Sequence, residues 1–263
     1  MTASVGVGKG PVRDAFAATP REHFVGPGPW KVTTGLGYIE TPSDDPAFLY
    51  QDILIALTEG GSINNGQPSL HALCLSALDA HAGETVIHVG AGTGYYTALL
   101  AKLVGPEGEL SAYEVDRQLA GRARTNLAGY RNVTVHARSG SIGPLPACDI
   151  LYVNAGATAP LDVWLDALRP RGRLLFPLTP EEGFGAMLLI TRIEGHQFRA
   201  RSVSRAMFIP CVGARDEDTA RKLSLAFKNK PPEEVRSLRR NASPDETCWI
   251  AGKGWWLSTA PPA

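Results

Sequence analysis

Apolar and polar residues follow two periods along this chain, and the change from one to the other marks out its elements. Val86-Ile87-His88-Val89 is a short β-branched apolar run; glycines 90, 92 and 94 follow it, and then the helical pattern Tyr95-Tyr96-Thr97-Ala98-Leu99-Leu100-Ala101. A buried parallel strand that turns sharply into a helix has this form. Downstream the pattern predicts strands at 109–114, 133–137, 149–154 and 173–177, with helices at 116–128 and 160–168 between them. Two further strands, 186–193 and 198–209, turn at Glu194-Gly195-His196 as an antiparallel hairpin edge. Upstream, residues 1–10 read as a flexible lead and 11–18 as a helix with Pro11 in its first turn. The span 26–46 is dense in Gly, Pro, Thr and Ser, and its aromatics Trp30 and Tyr38 suggest a loop held by burial. Residues 50–57 have strand-like composition. A polar loop then leads into a helix at Pro68, whose apolar residues Leu70, Leu73, Cys74, Ala77 and Leu78 share one face. Near the C-terminus, 216–227 reads as a helix, Pro231 starts another, and Trp249, Trp255 and Trp256 suggest a docked strand or hairpin.

Composition narrows the function classes. With 44% hydrophobic and 20% charged residues the chain is an ordinary soluble globular protein, expected in the cytoplasm. Its 26 basic and 26 acidic residues cancel, so no global field holds a nucleic acid or an anionic membrane, and neither is expected as a partner. Cys74, Cys148, Cys211 and Cys248 are scattered without C-x-x-C spacing or paired histidines, which argues against a metal site and for reduced core thiols. No run reaches membrane-spanning length.

Three glycines in alternation let a ligand approach the backbone, and the amides of the helix start then face it. A dinucleotide fingerprint needs its third glycine at position 95, which is Tyr95, so a nicotinamide or flavin is disfavoured. Glu114 ends the next strand about twenty residues on, at the distance where a carboxylate accepts both hydroxyls of a ribose. A ligand therefore belongs at the carboxyl ends of the strands, with Gly90, Glu114, Ser139 and Asn154 around it. In the loop before Pro68, Ser62, Asn64, Asn65 and Gln67 suit holding a carboxylate and peptide groups, although Ser and Asn are also ordinary at a helix entry. His71, one turn into the helix, is either a base for a hydroxyl or amine acceptor or a structural histidine.

The G-x-G-x-G spacing resembles the first motif of Rossmann-like methyltransferases that bind S-adenosylmethionine. Thr19-Pro20-Arg21-Glu22-His23-Phe24-Val25, Tyr50-x-Asp52, Gln67-Pro68, Val89 to Ala101, the strand 149–155, Leu168-Arg169-Pro170-Arg171-Gly172 and Phe208-Ile209-Pro210 occur in the order of the protein-L-isoaspartate O-methyltransferase family, over roughly 12–210. The resemblance implies a Rossmann-like, doubly wound, mostly parallel seven-stranded α/β sheet, with an N-terminal helical and loop region and a small C-terminal extension. It implies S-adenosylmethionine as cofactor, held by His88, Gly90, Ala91, Gly92, Gly94, Glu114, Ser139 and Asn154. It implies methylation of an isoaspartyl-type carboxylate in a protein or peptide, with Ser62, Asn64, Asn65 and Gln67 at the acceptor. Three positions depart from the family: Asn64 replaces the serine assigned to the active site, His88 an acidic residue, and Ser139 the Asp of a Gly-Asp-Gly.

The expected organisation is a substrate-loop region at 1–82, a cofactor-binding core at 83–210 and an extension at 211–263, basic and aromatic, that offers a partner or self-association surface. Two alternatives stand beside the leading reading: a methyltransferase for a different small-molecule or peptide acceptor, and a binding module that keeps the fold without catalysis.

Overall fold

The computed structural model describes residues 8–262, so the lead expected at 1–10 lies mostly outside the described residues. In chain order the elements are α1 (Pro11–Ala17), α2 (Glu22–Val25), β1 (Lys31–Thr34), β2 (Gly37–Glu40), α3 (Pro68–Leu78), β3 (Thr85–Val89), α4 (Tyr95–Val104), β4 (Glu109–Tyr113), α5 (Arg117–Asn126), β5 (Val133–His136), β6 (Cys148–Val153), α6 (Asp162–Ala167), β7 (Leu168–Leu178), β8 (Gly185–Arg192), β9 (Phe198–Ala206), α7 (Glu217–Asn229), β10 (Ser237–Arg240), β11 (Cys248–Gly252) and β12 (Trp255–Ser258). Two compact units result. One runs through Glu84 and includes Ala91–Arg138; the other joins Thr85–Gly90 to the chain from residue 139 onward.

In the first unit β4 and β5 pair in parallel, Leu110 opposite Val133 and Tyr113 opposite His136. The helix between them starts where the sequence indicates: the Asp116 carboxylate accepts from the amides of Gln118 and Leu119 and caps α5. Val25, Trp30, Val32, Leu49, Ile55, Leu57 and Leu119 form one apolar cluster beneath the N-terminal segments. The 26–46 span, expected as a loop, contains the antiparallel hairpin β1–β2. Trp30 is buried in that cluster as expected, whereas Tyr38 is left exposed on the hairpin.

Residues 50–57 do not form the strand that their composition suggests. Ile55 and Ala56 make only isolated bridges, to Val32 and Asn64. The physical reason is that Arg21 takes the carbonyls of Leu49, Gln51 and Ile53, groups that a strand would need for its ladder. In α3 the apolar stripe is also displaced: Leu70, Leu73 and Ala77 are half-buried, while His71, Ala72 and Leu75 join Cys74 and Leu78 inside. His71 is drawn in by a stacked ring, described below.

In the second unit β3 pairs in parallel with β6, and β6 with β7. From β7 onward the pairing is antiparallel through β8 and β9. All seven expected strands are present as β3 to β9, and the sheet then continues. The extension adds β10 against β9, β12 against β10 and β11 against β12, so the second unit alone holds eight strands rather than leaving the edge at β9. The helix expected at Pro231 is a single 3-10 turn, Pro232–Glu234, because the chain must extend at once to place Ser237 and Leu238 in register with Arg199 and Phe198. The helix expected at 216–227 is α7, capped by the Asp216 carboxylate on the Thr219 amide. The tryptophans form the expected hairpin, β11–β12.

Trp249 fixes that hairpin to α7. It is 2% exposed, meets Phe227 edge-on at 5.2 Å between ring centroids, and donates its indole N–H to Pro231. Trp249→Ala is expected to remove about 3 kcal/mol of stability, measured as the urea midpoint multiplied by the slope. A loss below about 1 kcal/mol would mean that the extension is not docked through this ring.

Candidate active site

The glycine loop begins at the end of β3, and its conformation is one that side chains resist. Gly90, Gly92 and Gly94 have φ of 77°, 56° and 94°. A Cβ at Gly94 would fall 2.7 Å from Leu127 Cδ1, so this residue must be glycine for α5 to pack there. In the first unit the loop is held by the end of β4. The Gly92 amide donates to Glu114 Oε2 at 2.7 Å and the Asp116 amide to Oε1 at 3.0 Å, while Ala91 donates to the carbonyl of Tyr113 at 3.1 Å. Burial pushes the Glu114 carboxyl above its ordinary range against the pull of those amides. The Val115 amide adds to this set, and the carboxylate still has capacity to accept from a ligand hydroxyl. Ala91, Gly92, Gly94 and Glu114 are thus brought together at the end of β4.

The polar loop 62–67 lies in the same unit and is fixed from several sides. Asp52 accepts from Gln67 Nε2 at 2.7 Å, from the Ser69 amide at 2.7 Å and from Ser69 Oγ at 2.6 Å, which makes it an N-terminal cap of α3 supplied from a distant segment. Burial raises its pKa and those donors lower it; the donors prevail, so the carboxyl sits below its ordinary value. Arg21, fully buried, donates through Nη1 to the carbonyls of Leu49 and Gln51. Its Nη2 donates to the carbonyl of Ile53, to Asn65 Oδ1 at 3.1 Å and to the Gly66 carbonyl at 3.3 Å. The Gly66 carbonyl also accepts from the Tyr96 hydroxyl at 3.3 Å, which ties the loop to α4, the helix that the glycine loop opens.

The four loop residues thus separate. Asn65 is 7% exposed, with its Oδ1 taken by Arg21 and by the Ile55 amide, so it faces the frame rather than an acceptor. Asn64, standing for the family serine, is half-buried and accepts from the Gly66 amide. Ser62 and Gln67 are exposed, Ser62 beside the Thr58 hydroxyl at 3.4 Å. His71 is 1% exposed and stacks on Tyr96 at 3.6 Å between centroids, covered by Gly66, where a Cβ would fall 2.2 Å from its Nε2. A ring so enclosed cannot reach an acceptor. Arg21, Asp52 and Tyr96 carry this loop, and sequence reasoning did not place them in the site; the signal available was the Arg21 and Asp52 segments of the family-like order.

In the second unit, His88 and Asn154 stand at adjacent strand ends, Asn154 donating its amide N–H to the Val89 carbonyl at 2.8 Å. Their side chains meet with Asn154 Nδ2 2.8 Å from His88 Nε2. Burial holds His88 down to a pKa of about 3, so the ring is neutral and its Nε2 accepts from the Asn154 amide. Gly90 passes close to Asn154, whose carbonyl carbon and oxygen would each be 3.3 Å from a Cβ there. Further along the chain, Ser139 Oγ accepts from the Ser141 amide at 3.0 Å and donates to the Val212 carbonyl at 3.4 Å.

A family model described as Protein-L-isoaspartate(D-aspartate) O-methyltransferase matches residues 5–216. The Protein-L-isoaspartate O-methyltransferase of Methanothermobacter thermautotrophicus is 31% identical over 206 residues, covering 77% of this chain and 87% of that protein. The one of Aeropyrum pernix is 32% identical over 209 residues, covering 77% and 72%. Among solved structures, a protein-L-isoaspartate O-methyltransferase superposes over 91% of this chain and 70% of its own with a TM-score of 0.67 at 22% identity. A Plasmodium falciparum structure described as a beta-aspartate methyltransferase in complex with S-adenosyl-L-homocysteine covers 80% of this chain and 94% of its own, TM-score 0.64 at 17% identity. These structures share the Rossmann-like methyltransferase fold expected from the sequence. No described helix is long and apolar enough to cross a membrane.

The Asp52 cap gives the loop a pH dependence of known sign. A carboxyl whose folded pKa is depressed stabilises at all pH above its unfolded value and loses that contribution as pH falls through the folded one. Asp52→Asn is expected to lower stability by about 1 kcal/mol at pH 7, because a neutral amide with one oxygen replaces a carboxylate that accepts three bonds. The difference from wild type should close below about pH 4, near the unfolded carboxyl value, in urea midpoints measured across pH. A difference that persists in acid would mean that the carboxylate is not the cap.

Proposed function

The chain belongs to the protein-L-isoaspartate O-methyltransferase family, and from that premise we propose that it transfers a methyl group from S-adenosylmethionine to an isoaspartyl-type carboxylate of a protein or peptide. The observation that carries the reading is the bond from Tyr96 to Gly66. It joins the polar loop to the helix opened by the glycine loop, so one element, α4, positions both the cofactor loop and the acceptor loop.

The donor set fits the cofactor. Glycines at 90, 92 and 94 take positive φ and carry no side chain to stand before the loop's amides, and Glu114, oriented by backbone amides, offers lone pairs to a ribose diol. His88, Ala91, Ser139 and Asn154 complete the proposed set, with Ser139 a hydroxyl partner for the adenine amino group. When bound, S-adenosylmethionine supplies an electrophilic methyl group on sulfur. For the acceptor, Ser62, Asn64 and Gln67 offer hydroxyl and amide donors, while Asn65 acts on the loop from within. Displacement at a methyl carbon is in line, so what the chain must do is align the acceptor oxygen and keep water from competing.

A second reading keeps the reaction and changes the acceptor to another peptide or small molecule. It draws on Asn64 in place of a serine and on Asn65-Gly66 standing between Asn64 and Gln67-Pro68, with the Asn64 oxygen already spent on the Gly66 amide. Incubation with methyl-labelled S-adenosylmethionine separates the two. An isoaspartyl peptide should gain a base-labile methyl ester, and the aspartyl isomer and a Gly92→Asp control should not. Tight cofactor binding by calorimetry with no label on the isoaspartyl peptide would favour the second reading and overturn the first.

A further inference from the structure

Arg21 is a full positive charge with no exposure to solvent, and among the described residues no carboxylate forms an ion pair with it. Its five acceptors are all neutral oxygens, its Nε has no partner, and burial pushes its pKa down. A charge buried on such terms is held at a cost, and a neutral side chain of similar shape often serves stability as well. What a neutral side chain does not supply is the planar fork that binds two separate segments at once.

The two segments are 49–53 and 65–66. Carbonyls of the first face Arg21 instead of a strand partner, and Asn65 and Gly66 of the second are drawn inward to it. Gly66 is at φ 71°, its amide fixes Asn64 Oδ1, and its carbonyl is shared between Arg21 and Tyr96. Once Gly66 is seated, the conformation of Asn64 and the preceding Ile63 and Ser62 follows; the Ile63 carbonyl in turn accepts from the Leu57 amide at 2.8 Å.

We infer that Arg21 is a positioning residue for acceptor binding: its guanidinium seats Asn65 and Gly66 and thereby presents Ser62 and Asn64 to the acceptor. The inference rests on the reading of 62–67 as the acceptor loop. Arg21 has no surface open to an acceptor or cofactor, being fully buried, and lysine cannot replace it, because a single ammonium cannot span both segments.

The test uses the full chain with Arg21→Ala, read by hydrogen exchange of the 62–67 amides, by calorimetry with S-adenosylhomocysteine, and by kcat and KM on an isoaspartyl peptide. Expected are faster exchange in 62–67, cofactor affinity within about twofold of wild type, and a loss of at least about tenfold in kcat/KM carried mainly by KM. Guanidinium chloride at millimolar concentration should slow the exchange and lower KM, and urea at the same concentration should do neither. A folded Arg21→Ala with wild-type KM, or rescue by urea equal to that by guanidinium, overturns the inference. If Arg21→Ala does not fold, Arg21→Lys carries the test: a raised KM with cofactor binding retained supports the inference, and a wild-type KM overturns it. Should wild type methylate no isoaspartyl peptide, the acceptor reading fails by itself, and the exchange arm still decides whether guanidinium seats the loop.

Discussion

The turn from β3 into α4 depends on the bond between the Gly92 amide and the Glu114 carboxylate. Three glycines with positive φ have many conformations open to them in an unfolded chain, so the turn is entropically expensive to hold. A charged acceptor is about twice as strong as a neutral one, and here it reaches across from the end of β4 to clamp the middle glycine. The arrangement has a cost of its own, since burial works against the ionised form of Glu114. What is obtained is a bare backbone loop fixed at both ends, followed by a helix whose second residue, Tyr96, reaches the Gly66 carbonyl and stacks on His71. Geometry at the glycine loop is thereby passed to the polar loop 62–67 through a rigid element.

Wherever local chemistry decides, the sequence was a sufficient guide. The strand–glycine–helix unit, the Asp116 and Asp216 caps, the Pro11 and Pro68 helix starts and the tryptophan hairpin all follow from periodicity and end signals, and all are present. Where a distant partner decides, it was not. Residues 50–57 carry strand composition, but the carbonyls that matter are claimed by Arg21 from about thirty positions away. The stripe of α3 is turned because a buried histidine finds a tyrosine ring to stack on, a pairing that no helical pattern reveals. Asn65 illustrates the same limit within the candidate site: by composition it belongs with Ser62 and Asn64, and by contact it belongs to the frame.

The extension follows similar logic in the second unit. Its aromatic residues signal burial, but the strand that receives them is set by register, with Leu238 opposite Phe198 and Trp256 opposite Arg239. Arg240, nearly enclosed, bridges Asp162 and Asp166 of α6, which ties the added strands to the helix that leads into β7. The family match ends at residue 216, so α7 and the three added strands lie beyond it. Continuing the sheet covers the β9 edge, which would otherwise present unpaired amides and carbonyls.

The chemistry of the loop favours an acceptor that arrives already ionised. A hydroxyl or amine must lose a proton on the way to methylation, and that calls for a base within hydrogen-bond reach. His71 is enclosed by Tyr96 and Gly66, and His88 is fully buried with its accepting nitrogen on Asn154. Asp52 is committed to Ser69 and Gln67, and the donors that remain on the loop, Ser62 and Asn64, are neutral. A carboxylate needs no base at neutral pH, being several pH units above its own pKa. Its requirement is to be held and aimed, which calls for fixed neutral donors, and the polar loop is fixed in that way: bonded to the buried Arg21 guanidinium, held through Asp52 and tied to α4 by Tyr96.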